Sequence, residues 1–307
     1  MAFFLQNVVN ALQFGSFYAL IAIGYSMVYG VLMVFNFAHG DIFMTGSYIG
    51  FFIATGLLGL TASGVLPLPG WAVLALTLLF AMLATSLVGM LVERIGYRPL
   101  RNAPRASAAV TGLMIGIILE TGNLALLGAS RKAFPALVPT ISFNVAGVSI
   151  TNTRIMIVVL SILLMVALHF FIRRTKYGMA MRAMAFDFPV VPLMGVSINV
   201  IASLTFAIGS ALAAAAGIFY GLAYPVLGPY MGIIIGWKAF VAAILGGRGS
   251  IPGSALAGFL LGFIEIFVAA IFPSTVRDLI SFSIIIIILT FRPLGFFGEP
   301  YSAQLRL

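Results

Sequence analysis

Trp71-Ala72-Val73-Leu74-Ala75-Leu76-Thr77-Leu78-Leu79-Phe80-Ala81-Met82-Leu83-Ala84-Thr85-Ser86-Leu87-Val88-Gly89-Met90-Leu91-Val92 runs for 22 residues without a charge. About 20 consecutive apolar residues are what a helix needs to cross the hydrocarbon core of a bilayer. The pattern recurs from Ile155 to Ile172, over 18 residues, and from Val200 to Trp237, longer than one crossing requires. Composition agrees: 62% of the 307 residues are hydrophobic and 7% are charged, against about 25% charged in soluble domains. A transmembrane β-barrel would alternate apolar and polar residues in short strands, so the fold class is all-α, a polytopic transmembrane helical bundle.

Apolar runs between polar breaks fall at 8–35, 41–60, 71–93, 107–127, 155–172, 200–223, 233–247, 254–272 and 278–292. Nine spans are therefore expected, within a range of eight to ten, in one domain covering 1–307. The first run has no basic residue before it and is too long for the apolar part of a signal peptide, so it is expected to be retained. The run at 233–247 is short enough to be re-entrant.

The net charge of +9 does not point to nucleic acid, because the basic residues sit in short loops beside apolar runs. Placing Arg94–Arg105 and Arg173–Arg182 in the cytoplasm puts eleven basic residues inside and four outside, namely Arg131, Lys132, Arg154 and Arg277. That distribution follows the positive-inside rule. The chain has no cysteine, which excludes disulfides and thiolate metal sites.

Two polar segments stand out. Residues 173–199 open Arg-Arg-Thr-Lys-Tyr-Gly-Met-Ala-Met-Arg-Ala and read as a cytoplasmic docking surface. The external loop 128–154 carries Pro135, Pro139 and an alternating stretch from Ile141 to Ile150, suited to a small cap. Paired breaks at Phe35–Asp41 and Gly246–Gly253 point to an internally duplicated transporter fold. Small residues recur at four-residue spacing: Gly46 and Gly50, Gly112 and Gly116, Gly258 and Gly262, and the row Gly209, Ala213, Gly217, Gly221. This spacing puts them on one helix face, where backbones approach closely.

Enzyme signatures are missing. No Lys follows a Gly, so there is no phosphate-binding P-loop, and neither H-E-x-x-H nor G-x-S-x-G occurs. No catalytic residue, metal site or cofactor is expected in this chain. Within the spans lie Glu120, Lys238 and Glu265, each carrying a charge that costs about 2.5–3.5 kcal/mol at mid-bilayer and so must face protein or water. The two glutamates either line a pathway for a zwitterion's ammonium or bond neighbouring helices. Lys238 either anchors its short run at an interface or meets a substrate carboxylate. Asn36, His39 and Asp41 add polar groups at the first break, and Asp41 is suited to capping the helix that starts there.

The runs Asn36-Phe37-Ala38-His39-Gly40-Asp41, Glu93-Arg94 with Tyr97-Arg98-Pro99-Leu100-Arg101, Lys238-Ala239-Phe240, and Leu245-Gly246-Gly247 with Gly249-Ser250-Ile251-Pro252-Gly253 together carry a resemblance. In them the chain resembles the LivH-type permease subunits of bacterial branched-chain amino-acid ABC importers. The resemblance implies a type II ABC importer fold in the bacterial inner membrane. It also implies a related LivM-type permease beside this one, two cytoplasmic ATPase subunits that hold ATP and Mg, and a periplasmic or extracellular substrate-binding protein. A coupling helix is expected within Ala180–Gly195, where Arg182, Ala183, Ala185, Asp187 and Gly195 match the family pattern. Phe186 departs from it, and Pro189 and Pro192 interrupt a regular helix. A urea or short-amide importer of the same architecture and a stand-alone ion-coupled transporter are the alternatives.

Overall fold

A computed structural model describes residues 1–145, 147–247 and 249–298. Arg248 and Arg306, two of the eleven basic residues assigned above to the cytoplasm, lie outside the described residues.

Each apolar run folds as one helix: α1 (Ala2–Leu32), α2 (His39–Ala62), α3 (Gly70–Val92), α4 (Arg105–Leu127), α5 (Asn152–Arg174), α7 (Ile198–Ala223), α8 (Met231–Gly246), α9 (Ile251–Ile271) and α10 (Arg277–Phe291). The intervening α6 (Lys176–Phe186) belongs to the polar stretch. Seven of the helices are long and apolar enough to cross a membrane, while α8 has 16 residues and α10 has 15. Sequence chemistry sets several boundaries. Thr175 caps α6 by accepting the Gly178 N–H at 3.0 Å, and Ser250 caps α9 with Pro252 in its first turn. Asp41 differs from expectation. It lies inside the first turn of α2, whose N-cap is Ala38 with no side-chain cap bond.

The bundle has two ends. At one, a hairpin of β1 (Ser142–Val145) and β2 (Val148–Thr151) folds against the start of α1, where the Gln6 amide bonds both the N–H and the carbonyl of Ser149. Loop residues Phe134 and Leu137 are buried beneath, and Lys132 pairs by backbone with Leu227. At the other, basic end, Glu93–Tyr97 forms one π-helical turn and α6 packs below α5.

Helices α1 and α7 form the buried centre, α1 lying along α9 and α7 between α2 and α3. The close approaches use the small-residue rows. Gly262 of α9 meets the Gly15 backbone, Gly258 meets that of Ala19, and a Cβ at Gly46 would lie 2.7 Å from the Ala214 Cα. Helix α1, with 31 residues, is about 46 Å long by helical rise. It ends at Met33, which takes left-handed φ of 55°.

Beyond Met33 the chain turns back into the bundle. His39 lies against Gly24 of α1 and near Gly209 of α7. Those glycines are eight residues before Leu32 and eleven after Ile198, about 12 and 17 Å from the basic-end termini of their helices. Helix α2 therefore begins in the interior, and Gly40 packs against Gly232 and Gly236 in the first turns of α8.

Candidate functional site

The interior start of α2 creates a cavity of about 140 Å³ lined by Tyr25, Phe37, Gly40, Asp41, Leu113, Ile117, Glu120, Gly232, Ile233, Gly236 and Trp237. Glycines let α2 and α8 close around it: at Gly40, a side chain would strike the Gly236 Cα at 2.7 Å. Ile117, Ile233 and Trp237 are half-exposed, so the cavity faces an open flank of the bundle formed by α4 and α8. A second, apolar cavity of about 350 Å³ lies under Tyr29, Met33, Val34, Phe35, Phe37, Ala106 and Ala109. Phe37 lines both. It is held there by Phe240 and Trp237, with ring centroids 5.2 and 5.8 Å away.

The sequence-selected polar residues divide into groups. Asp41 and Glu120 come together on the first cavity. Asn36 is buried beside it, its Oδ1 accepting the Tyr97 hydroxyl at 3.1 Å. His39 is buried between α1 and α7, edge-on to Tyr25 at 4.7 Å, with no partner on Nε2 among the described residues. Lys238 and Glu265 lie elsewhere, in an ion cluster. The Lys238 ammonium sits 2.8 Å from Glu265 Oε1 and 2.8 Å from Asp278 Oδ1, with Arg277 4.0 Å from Glu265. The Tyr18 hydroxyl adds bonds of 3.1 Å to both Glu265 oxygens. This cluster ties α1, α8, α9 and α10 together.

At the basic end, Glu93 is a second organising anion. Its carboxylate pairs with Arg98 at 2.8 Å and with Arg101, and accepts the Ser203 hydroxyl at 2.7 Å. Arg101 also donates to Asn199 Oδ1 at 2.6 Å. The α3–α4 connection is thereby fastened to the first residues of α7, where the polar stretch ends.

In that stretch, Arg182, Ala183 and Ala185 lie on α6, Asp187 follows its end, and Gly195 takes left-handed φ of 77° after a 3-10 turn at Val191–Met194. Phe188 and Pro189 thus follow a helix that has already ended at Phe186. Arg182 folds back to donate to the Ile172 carbonyl at 2.9 Å. Tyr177, Met179, Phe186, Leu193 and Met194 are exposed. No group of three or more His, Cys, Asp or Glu suited to a metal occurs among the described residues.

Sequence reasoning missed Tyr25, Phe37 and Trp237 as cavity walls and Tyr18, Arg277 and Asp278 as ion-cluster partners. It used the arginines around Glu93 to set the orientation in the membrane and assigned them no partner. The one available signal was the acid five and eight residues before Arg98 and Arg101.

Comparison with known proteins places these features in context. The high-affinity branched-chain amino acid transport system permease protein BraD of Pseudomonas aeruginosa is 42% identical over 303 residues, covering 97% of this chain and 96% of its own. LivH of Escherichia coli K12, of the same description, is 39% identical over 303 residues with the same coverage. A probable branched-chain amino acid transport permease protein LivH from Methanocaldococcus jannaschii is 25% identical, covering 97% of this chain and 94% of its own. No solved structure matches. Residues 7–289 match the family described as branched-chain amino acid transport system, permease component, and with these relatives that match shows the chain to be a member of it.

Proposed function

We propose that this chain is the membrane-spanning permease subunit of an ATP-driven importer for branched-chain or other hydrophobic amino acids. It forms half of the translocation pathway in the bacterial inner membrane. A related permease completes the pathway, a periplasmic or extracellular binding protein delivers the substrate, and ATP is hydrolysed with Mg on two separate cytoplasmic subunits. The observation that carries this reading is the pair of cavities on either side of Phe37, the first opening on the α4–α8 flank where a second permease would close it. The mostly apolar lining suits a hydrophobic side chain, and the extensive similarity to BraD and LivH supports the substrate class.

The basic end lies in the cytoplasm in this reading, because the loops carrying Arg94, Arg98, Arg101, Arg173, Arg174, Lys176 and Arg182 gather there. The exposed apolar side chains of α6 and the 3-10 turn then meet an ATPase subunit. Its closure moves α6, and with it α7, in a rocking change of the kind common to transport proteins.

The test is uptake into vesicles holding the reconstituted importer, using leucine, isoleucine, valine, urea and short amides, with and without ATP and binding protein. Uptake of the three amino acids that requires both supports the reading. ATP-independent transport by this chain alone, or uptake confined to urea and amides, overturns it.

A further inference from the structure

The described acidic residues fall into two sets. Glu93, Glu265 and Asp278 each pair with an arginine or lysine, and Asp187 is exposed beyond α6. Asp41 and Glu120 differ from all of these. Each is only 8% exposed, and neither has a cation within 4.0 Å among the described residues. Asp41 Oδ1 has no hydrogen-bond partner among the described residues. Both side chains nevertheless face one cavity.

A carboxylate buried in protein without a partner is costly, and inside a membrane it marks a place where a cation is expected. The described residues supply none within 4.0 Å. Lys238 is held by Glu265 and Asp278. Asp41 stands in the first turn of α2, where the helix dipole favours negative charge. The cavity also presents Tyr25, Phe37 and Trp237, and aromatic faces attract organic ammonium groups. Gly40, Gly232 and Gly236 line it without side chains, and a Cβ at Gly232 would lie 2.7 Å from Asp41 Oδ1, so the glycine keeps that oxygen uncovered.

We propose that Asp41 and Glu120 form the pathway's subsite for the ammonium group of a zwitterionic amino acid, with the rings of Tyr25, Phe37 and Trp237 beside it. The assignment rests on the cavity being part of the translocation pathway. It makes the pathway selective for chemistry, because a neutral urea or amide offers no cation to the two carboxylates.

The test uses the complete importer in proteoliposomes and, separately, the purified complex in detergent. Isopentylamine carries the ammonium and branched tail of leucine without its carboxylate, and 4-methylpentanoate carries the converse. At concentrations that do not displace leucine from the binding protein, isopentylamine should inhibit leucine uptake and raise the melting midpoint of the complex. The acid should do neither. Asp41→Asn and Glu120→Gln should each weaken amine inhibition and slow leucine uptake at least tenfold, with Glu120→Asp retaining part of both. Exchanging sodium for choline should change nothing. Equal effects of amine and acid overturn the proposal without any variant, as does a dependence on sodium, which would make this an inorganic cation site. So does wild-type amine sensitivity in both neutral variants. If ATP-driven amino-acid uptake is absent yet the amine-specific melting shift persists and is lost in Asp41→Asn, the transport reading falls and the subsite stands.

Discussion

Lys238 and Glu265 are 3% and 1% exposed and hold each other 2.8 Å apart between α8 and α9. Taking Lys238 away leaves Glu265 buried with only the Tyr18 hydroxyl and an arginine 4.0 Å off, a loss of about 3–5 kcal/mol. Lys238→Met should therefore lower stability by that amount in a denaturation series in detergent. Combining it with Glu265→Leu removes the orphaned charge and should recover most of the loss. What remains is the Tyr18 hydroxyl, left without its acceptor at about 1–3 kcal/mol. None of this pairing was legible in the sequence. Both residues stood out as charges in apolar runs, but 27 positions of chain separate them, and Tyr18 is 247 from Glu265. Local patterns show that a buried charge needs a partner without showing which helix will supply it.

The helices themselves were far more legible. A run of apolar residues has one way to satisfy its backbone in lipid, so each became a helix close to its expected place. The small-residue rows had a similarly local meaning. Gly262→Leu should force α9 off the Gly15 backbone and cost about 1–3 kcal/mol, read as a lower melting midpoint. Gly56 lies on the same kind of helix with nothing within 4 Å of its would-be Cβ. Gly56→Ala should be neutral or slightly stabilising, by about 0.4–1 kcal/mol. The interior start of α2 could not be read in this way. Asn36 to Asp41 has the residues of a surface turn, and only the glycines of α1, α7 and α8 draw it inward. For the polar stretch, Asp187 stands at the point where α6 gives way to the turn. Asp187→Lys should reduce substrate-stimulated ATPase severalfold in the assembled importer while leaving assembly intact; unchanged stimulation removes Asp187 from the coupling contact.

Across the whole molecule, Phe37 is the side chain common to the two cavities, with Trp237 and Phe240 packed against it. Phe37→Ala should join the cavities. Preloaded proteoliposomes carrying this variant should then leak leucine without ATP several times faster than wild type, while tight retention would show that closure lies elsewhere. The packing of Phe37 also sets an order of events during synthesis. Trp237 is 200 residues downstream of it, about 10–40 s later at 5–20 residues per second. Until α7 and α8 emerge, His39 lacks Gly209 and Phe37 lacks the rings of Trp237 and Phe240 to pack against. The newborn chain must hold its first two helices in some other arrangement, and the re-entry of α2 becomes a late step of biogenesis that waits on the second half of the polypeptide.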